Sequence, residues 1–174
     1  MKQRLMKTYK EPIRILFICH GNICRSPMAE FAMKDLVRKR GLEDRFEIAS
    51  AATHTDEIWN GRGSPVYSPA RRELARHGIG TSDNELGVSR KRARLMSRGD
   101  YQLYDYIIGM DLENLYDMKD ICGGDPDGKI TLLLDHTDHP RSIADPWYTD
   151  DFRSAWNDVS EGCEALLEEI LEDR

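Results

Sequence analysis

The chain has 174 residues, of which 40% are hydrophobic and 32% charged, and 25 Lys and Arg against 31 Asp and Glu give a formal net charge of -6. This length suits one globular domain, and the composition argues against a disordered tail or a membrane protein. The acidic balance argues against a general binder of nucleic acid or acidic lipid, because such proteins present a basic face. Four scattered cysteines, Cys19, Cys24, Cys122 and Cys163, are too few for a disulfide scaffold.

The N-terminal segment is basic and precedes a short apolar stretch at residues 15–18. A signal peptide needs an apolar core of about 7–15 residues, and a membrane span needs about 20 apolar residues. We therefore expect a cytoplasmic protein with reduced thiols and no membrane partner. We interpret residues 1–12 as an N-terminal extension and residues 13–172 as a single domain without internal repeats.

The first predicted elements are a strand and a helix joined by a short loop. Residues 13–19 are almost continuously apolar and β-branched, as is typical of a strand buried on both faces of a parallel sheet. Gly21 interrupts this run. Ser26 and Pro27 predict the N-cap and the first residue of a helix, which we expect to end near Gly41.

The same alternation of strands and helices continues to the end of the chain. It favours an α/β fold, a three-layer doubly wound domain with a four-stranded parallel sheet flanked by helices. In such folds ligands bind beyond the carboxyl ends of the strands. The remaining predicted elements are strands at residues 46–52, 106–110 and 130–134, helices at residues 69–77, 111–115 and 150–171, and a loop rich in Gly, Pro and Ser at residues 54–68.

The loop after the first strand carries the strongest chemical signal. Its backbone N–H groups and the following helix N-terminus would form an anion site, and Arg25 offers a planar fork for two phosphate oxygens. Gly21 and Asn22 tolerate the left-handed backbone of a tight loop. Cys19 should be stabilised as a nucleophilic thiolate in this field. The segment reads Cys19-His20-Gly21-Asn22-Ile23-Cys24-Arg25-Ser26-Pro27.

Other interpretations of this loop fit less well. A lone cysteine at a strand end usually packs in a core, but here it comes with an arginine and a helix start. The loop lacks the Gly-Lys-Ser/Thr of a nucleotide P-loop. Cys19, His20 and Cys24 suggest zinc ligands, but no second Cys/His pair completes a site and Arg25 would repel the ion. We therefore predict a nucleophilic cysteine and no metal.

The sequence resembles the low-molecular-weight protein tyrosine phosphatase family from residue 13 to residue 171. The resemblance implies hydrolysis of phosphotyrosine and aryl phosphate monoesters through a phosphocysteine, with no metal and no cofactor. The motifs that carry it are the loop at residues 19–27, Ser50-Ala51-Ala52-Thr53, Arg76-His77-Gly78-Ile79, Ala93-Arg94, Asp105-Tyr106-Ile107-Ile108, Met110-Asp111 and Asp145-Pro146-Trp147-Tyr148.

The resemblance also assigns catalytic roles. Cys19 would be the nucleophile, Arg25 the phosphate clamp and Asp145 the general acid and base; from its residues alone, Asp145-Pro146 indicates only a turn. Ser26 would donate a hydrogen bond to the sulfur, although capping is the simpler interpretation, and Asn22 would brace the loop. The remaining loop residues that we expect at the phosphate are His20, Gly21, Ile23 and Cys24.

Aromatic residues and a second cysteine complete the predicted site. Family members sandwich the substrate ring between aromatics, so we predict substrate walls at Trp147 and Tyr148, and at Trp59, whose segment departs from the family pattern. Cys24 matches a cysteine that forms a reversible disulfide with the nucleophile and protects it from peroxide. Some relatives have a supporting His before a Val-Ala-Arg segment. This chain has Lys91-Arg92-Ala93-Arg94 instead, so the support that this His gives is absent.

Related activities remain as alternatives. Arsenate reductases share this fold but relay a disulfide through further cysteines, and residues 81–98 contain none. Arginine phosphatases carry Thr in place of Ile23, and an apolar residue there favours a phenyl ring. A phosphate-binding pseudophosphatase or a sugar phosphocarrier would not need Cys19, Arg25 and Asp145 together. We expect phosphotyrosine proteins or small aryl phosphates as partners, no nucleic acid, and a monomer or weak homodimer.

Overall fold

Four parallel strands form the centre of the computed structural model, which describes residues 12–173. β1 (Ile13–Cys19) lies between β2 (Phe46–Ala52) and β5 (Tyr106–Gly109), and β6 (Ile130–Leu132) pairs with the other side of β5. The predicted four-stranded parallel α/β sheet is confirmed. Because the strand order reverses next to β1, a crevice opens at the carboxyl end of this strand.

Helices cover both faces of the sheet. Side chains of β1 alternate between the faces: Ile15 and Phe17 pack in the core that includes α1 and α6, and Leu16 and Ile18 pack in the core on the α4 side. The helices are α1 (Arg25–Lys39), α2 (Ser68–Arg76), α3 (Asp100–Leu103), α4 (Leu112–Cys122), α5 (Pro146–Thr149) and α6 (Phe152–Glu172).

Several predicted boundaries are wrong. α1 begins at Arg25 with Cys24 at the N-cap, so Ser26 lies inside the helix and its hydroxyl caps nothing there. α4 begins with a reciprocal capping box between Asp111 and Asn114 and extends well beyond the predicted end, to Cys122, where Gly123 in the left-handed conformation ends it. The predicted last helix, residues 150–171, corresponds to α6, and the short α5 before it was not predicted; Asp150, which has a φ of 58°, separates the two.

The region predicted as a loop at residues 54–68 contains a small antiparallel hairpin. β3 (Ile58–Trp59) pairs with β4 (Arg62–Gly63), and Asn60 and Gly61 between them have φ values of 50° and 76°. Consecutive positive φ values are the signature of the Asn-Gly hairpin turn. At Gly63 a Cβ atom would lie 1.9 Å from the Ala93 carbonyl oxygen, so only glycine fits where the hairpin meets the following segment.

The N-terminal extension predicted over residues 1–12 lies outside the described residues except for Pro12. Within residues 12–173, none of the helices combines the length and apolarity required to cross a bilayer.

Candidate active site

A cavity of about 190 Å³ opens at the carboxyl end of β1. It brings together three residues that are distant in the sequence, Cys19, Arg25 and Asp145. Two further acidic residues, Asp56 and Glu57, were not anticipated by the sequence analysis. The lining residues are Cys19, His20, Gly21, Ile23, Cys24, Arg25, Asp56, Glu57, Asp145, Trp147 and Tyr148.

The cysteine loop, residues 19–26, is buried and held by side chains. Asn22 has a φ of 60°, the left-handed conformation expected for a tight loop. Asn22 and Ser26 are almost fully buried and lie behind the cavity. Cys19 Sγ lies 3.0 Å from Ser26 Oγ, which explains why the serine does not cap the helix.

The direction of each hydrogen bond behind the sulfur follows from one fixed donor. The backbone N–H of Arg94 donates to Asn22 Oδ1 over 3.2 Å, so the other end of this amide is the donor. Asn22 Nδ2 donates to both Ser26 Oγ and Ser50 Oγ, each over 2.9 Å. Ser26 Oγ therefore accepts from Asn22, and its own proton is free to point at Cys19 Sγ.

The buried Glu30 and two lysines continue this network away from the cavity. Ser50 Oγ donates to Glu30 Oε1 over 2.6 Å, and Lys34 Nζ lies 2.7 Å from Glu30 Oε2. Lys91 Nζ donates to the Ser50 carbonyl over 2.8 Å and lies 3.6 Å from Glu30 Oε1. Burial lowers the pKa of Lys91, and Glu30 partly offsets this. Lys91, which stands where some relatives have a supporting His, therefore reaches this network with its own side chain.

Arg25 is fixed from three directions. Its Nη1 donates to Asp111 Oδ2 over 2.7 Å and to the Ile143 carbonyl over 2.8 Å, and its Nη2 donates to Asp145 Oδ2 over 3.3 Å. Burial opposes the charge of Arg25, but the neighbouring Cys19 and Asp145 and the hydrogen bond to Asp111 outweigh it and raise its pKa. The sequence analysis assigned Asp111 no role at the site, although its place in the Met110-Asp111 motif was an available signal.

Asp145 stands at the start of α5 and lines the same cavity as Cys19. Its Oδ1 accepts a hydrogen bond from the backbone N–H of Trp147 over 3.0 Å, and its Oδ2 accepts from Arg25. The carboxylate is thus held between a helix N-terminus and a guanidinium. Trp147 and Tyr148 follow directly, and both line the cavity while remaining 52% and 84% exposed.

The other side of the mouth is polar. His20 Nε2 lies 2.5 Å from Asp56 Oδ2, and the His20 ring stacks on His54 with the ring centres 4.1 Å apart. The hydrogen bond from His20 lowers the pKa of Asp56. Trp59 lies on the hairpin, is 70% exposed, and stands outside the set of lining residues, so its role as a substrate wall stays a prediction.

The four cysteines are all buried free thiols. Burial, reinforced by the neighbouring Cys19 and Asp145, raises the pKa of Cys24. Burial also raises the pKa values of Cys122 and Cys163, which pack in the two cores. Among the described residues, no group of three or more His, Cys, Asp or Glu side chains has an arrangement that could hold a metal ion.

Comparisons with known proteins agree on the family. The family model described as low molecular weight phosphotyrosine protein phosphatase matches residues 14–174. The chain is 36% identical to low molecular weight protein-tyrosine-phosphatase YfkJ of Bacillus subtilis, over 93% of this chain and 98% of the relative. It is 35% identical to the low molecular weight phosphotyrosine protein phosphatase of Gallus gallus, over 88% and 93% of the two chains.

Structure comparison gives the same result. The crystal structure of YfkJ superimposes with a TM-score of 0.85 at 33% identity, covering 96% of this chain and 99% of the other. The chain therefore belongs to the low molecular weight phosphotyrosine protein phosphatase family, a family of hydrolases.

Proposed function

We propose that this chain hydrolyses phosphotyrosine and other aryl phosphate monoesters through a covalent phosphocysteine intermediate. The observation that carries the proposal is the convergence of Cys19, Arg25 and Asp145 on one cavity in a member of this family. A cysteine that attacks phosphorus must expel a phenolate, which is a poor leaving group unless it is protonated. The Asp145 carboxyl group, which lines the same cavity, meets that requirement.

In the first step the Cys19 thiolate attacks phosphorus in line with the leaving oxygen. The sulfur–phosphorus bond forms as the bond from phosphorus to the aryl oxygen breaks, and Asp145 gives its proton to that oxygen. The Arg25 fork and the backbone N–H groups of the cysteine loop bind the equatorial oxygens, whose charge they stabilise in the transition state. Arg25 arrives pre-oriented, because Asp111 and the Ile143 carbonyl already hold its guanidinium.

In the second step a water molecule attacks the phosphocysteine. Asp145, now a carboxylate, takes a proton from this water, and the bond between phosphorus and sulfur breaks. The electron pair returns to Cys19 as a thiolate. The Ser26 hydroxyl, whose proton is free to point at the sulfur, stabilises this departing thiolate. Inorganic phosphate leaves and the enzyme regains its starting state.

The lining residues support a substrate whose leaving group is a phenolate. Trp147 and Tyr148 offer aromatic surface beside Asp145, and Ile23 contributes an apolar side chain next to the loop. Arsenate reduction has less support, because it needs two further thiols that relay a disulfide. The available cysteines, Cys122 and Cys163, are buried in separate cores.

We also propose that Cys24 protects Cys19 under oxidative conditions. Peroxide would oxidise the Cys19 thiolate to a sulfenic acid, and the Cys24 thiol would then condense with it, forming a disulfide and releasing water. Because burial raises the pKa of Cys24, it remains a thiol at neutral pH and leaves the attack on phosphorus to Cys19. Dithiothreitol should restore peroxide-treated wild type but not Cys24→Ser; equal recovery of both would contradict this role.

The test of the proposed function is hydrolysis without added metal of phosphotyrosine, phosphoserine and phosphoarginine peptides and of phenyl phosphate. We expect wild type to prefer phosphotyrosine and Cys19→Ser to show no turnover. Asp145→Ala should lose about 10²–10⁴-fold on phenyl phosphate, because general acid catalysis contributes on this order. Turnover that survives Cys19→Ser would disprove the mechanism, and arsenate reduction coupled to dithiothreitol would favour the alternative.

A further inference from the structure

Tyr67 connects the two segments that the proposed mechanism brings together. Its backbone N–H donates to the Ile23 carbonyl in the cysteine loop over 2.9 Å. Its ring lies 5.0 Å from the ring of Trp147 at an angle of 51°, and 6.0 Å from the ring of Phe152 at 43°. One residue at the start of α2 therefore contacts the loop that carries the nucleophile and the helices next to the general acid.

The acid segment, residues 143–150, has little other packing. Only Ile143 and Pro146 are buried in it, and α5 is a single turn of four residues. The chain then passes through Asp150 in the left-handed conformation before α6 begins at Phe152. A short exposed turn of this kind has low local stability, so the few side chains that pack against it determine its position.

The tryptophan that Tyr67 contacts is directly coupled to the acid. The Trp147 backbone N–H donates to Asp145 Oδ1 over 3.0 Å, and the two residues are separated only by Pro146. A shift of Trp147 away from Tyr67 would move the N–H that orients the carboxyl group. Tyr67 itself stands outside the set of residues that line the cavity, so its influence would pass through Trp147.

We propose that Tyr67 is a positioning residue for the general acid. Its backbone is fixed to the cysteine loop, and its ring holds the turn formed by Trp147 and Phe152 so that Asp145 lies over the leaving oxygen. This inference rests on the proposed function, in which Asp145 protonates the leaving group. A displacement on the order of 1 Å can reduce a rate by about 10²-fold. In the first step, which kcat/KM reports, the loss should depend on whether the leaving oxygen needs the proton.

The test compares two esters that differ in their need for an acid. Phenyl phosphate requires protonation of its leaving oxygen, whereas dinitrophenyl phosphate releases a stable anion without it. We expect Tyr67→Ala to lower kcat/KM, which reports formation of the phosphocysteine, by about 10-fold to 10²-fold for phenyl phosphate, and to change kcat/KM for dinitrophenyl phosphate by less than about twofold. Tyr67→Phe keeps the ring and should restore most of the rate.

Tyr116→Ala is the matched control, because Tyr116 is an exposed tyrosine on α4 outside the lining set. This variant should leave kcat/KM unchanged for both esters. Thermal melting checks the fold of each variant. If Tyr67→Ala does not fold, Tyr67→Leu, which keeps apolar bulk but no aromatic ring, is judged by the same criterion. Equal losses on the two esters, or no loss on phenyl phosphate, would overturn the inference.

A double-mutant comparison separates this inference from the proposed function. If Tyr67 acts through the acid, adding Tyr67→Ala to the Asp145→Asn variant should lower kcat/KM for phenyl phosphate by less than about twofold. A full additional loss in that background would overturn the inference. If the single variant Asp145→Asn lowered kcat/KM equally for the two esters, the proposed acid role itself would fail. If Asp145→Asn lowered kcat/KM more for phenyl phosphate than for dinitrophenyl phosphate but Tyr67→Ala did not, the proposed function would stand and the role of Tyr67 would be disproved.

Discussion

The cysteine loop and the acid segment meet in one cavity but are held in opposite ways. In the loop, Asn22, Arg25 and Ser26 are at most 2% exposed, and each donates or accepts hydrogen bonds with residues from other elements. In the acid segment, the side chain of Asp145 accepts two hydrogen bonds, one of them from its own helix turn. The loop is thus preorganised for the substrate, whereas the position of Asp145 depends on a few contacts.

This difference suits the two tasks. Charge on the transferring phosphoryl group is best stabilised by donors that need no reorganisation, and a buried network supplies this. A leaving group has to enter and depart beside the acid, and an exposed segment leaves room for it. We expect substitutions in the loop to lower the rate of hydrolysis by the same factor for every ester. Substitutions around the acid segment should affect some esters more than others or change KM alone.

The largest effect should come from Arg25→Lys. The lysine keeps the charge but loses the planar fork that Asp111 and the Ile143 carbonyl orient. We expect kcat to fall by about 10²–10³-fold, the cost of losing one preorganised donor. The fall should be equal for phenyl phosphate and dinitrophenyl phosphate, measured by initial rates.

Arg38→Lys is the control for this variant, because Arg38 lies on the same helix, pairs with Asp35 and stands outside the set of residues that line the cavity. It should change kcat by less than about twofold, since lysine keeps the charge and the half-exposed Arg38 side chain does not reach the phosphate site. A loss in Arg25→Lys restricted to phenyl phosphate would show that this arginine acts mainly on the acid, and the contrast between the two segments would fail.

A smaller effect should follow from Lys91→Met. Lys91 donates to the Ser50 carbonyl and faces Glu30, so its loss loosens the network that directs the Ser26 proton to the sulfur. We expect kcat to fall by about threefold to tenfold on both esters, the value of one buried hydrogen bond. Stopped-flow or initial-rate measurements with both esters would check this.

Lys34→Met is the matched variant for Lys91→Met. Lys34 also pairs with Glu30 but is more exposed, at 31% against 13% for the two side chains, and water screens its charge. We expect less than about a twofold change. If Lys34→Met were the more damaging of the two, the charge of Glu30, and not the hydrogen bond to Ser50, would be what supports the loop.

Sequence reasoning was most accurate where one local pattern determines the structure. The apolar run of β1 identified a strand buried on both faces, because its even and odd residues pack in separate cores. The strand at residues 46–52 has its predicted bounds. The left-handed Asn22 follows from the residue types that a tight loop tolerates.

It was least accurate where tertiary contacts decide. Ser26 looked like a helix cap, but the buried sulfur and Asn22 compete for its hydroxyl. Asp56 and Glu57 reach the cavity only because the hairpin folds back beside it, and no local periodicity predicts this. Tyr67 sits in a segment without a distinctive motif, and its importance appears only when its ring is seen against Trp147.

The smallest predicted effect concerns the aromatic mouth. Tyr148 and Trp59 are both predicted substrate walls and are similarly exposed, at 84% and 70%, but only Tyr148 lines the cavity. We expect Tyr148→Ala to raise KM for phenyl phosphate by about twofold to tenfold with little change in kcat, the value of one aromatic contact. Trp59→Ala should change KM by less than about twofold. A larger KM change in Trp59→Ala would mean that the hairpin closes over the bound ring, so that a second exposed segment, besides the acid segment, positions the substrate.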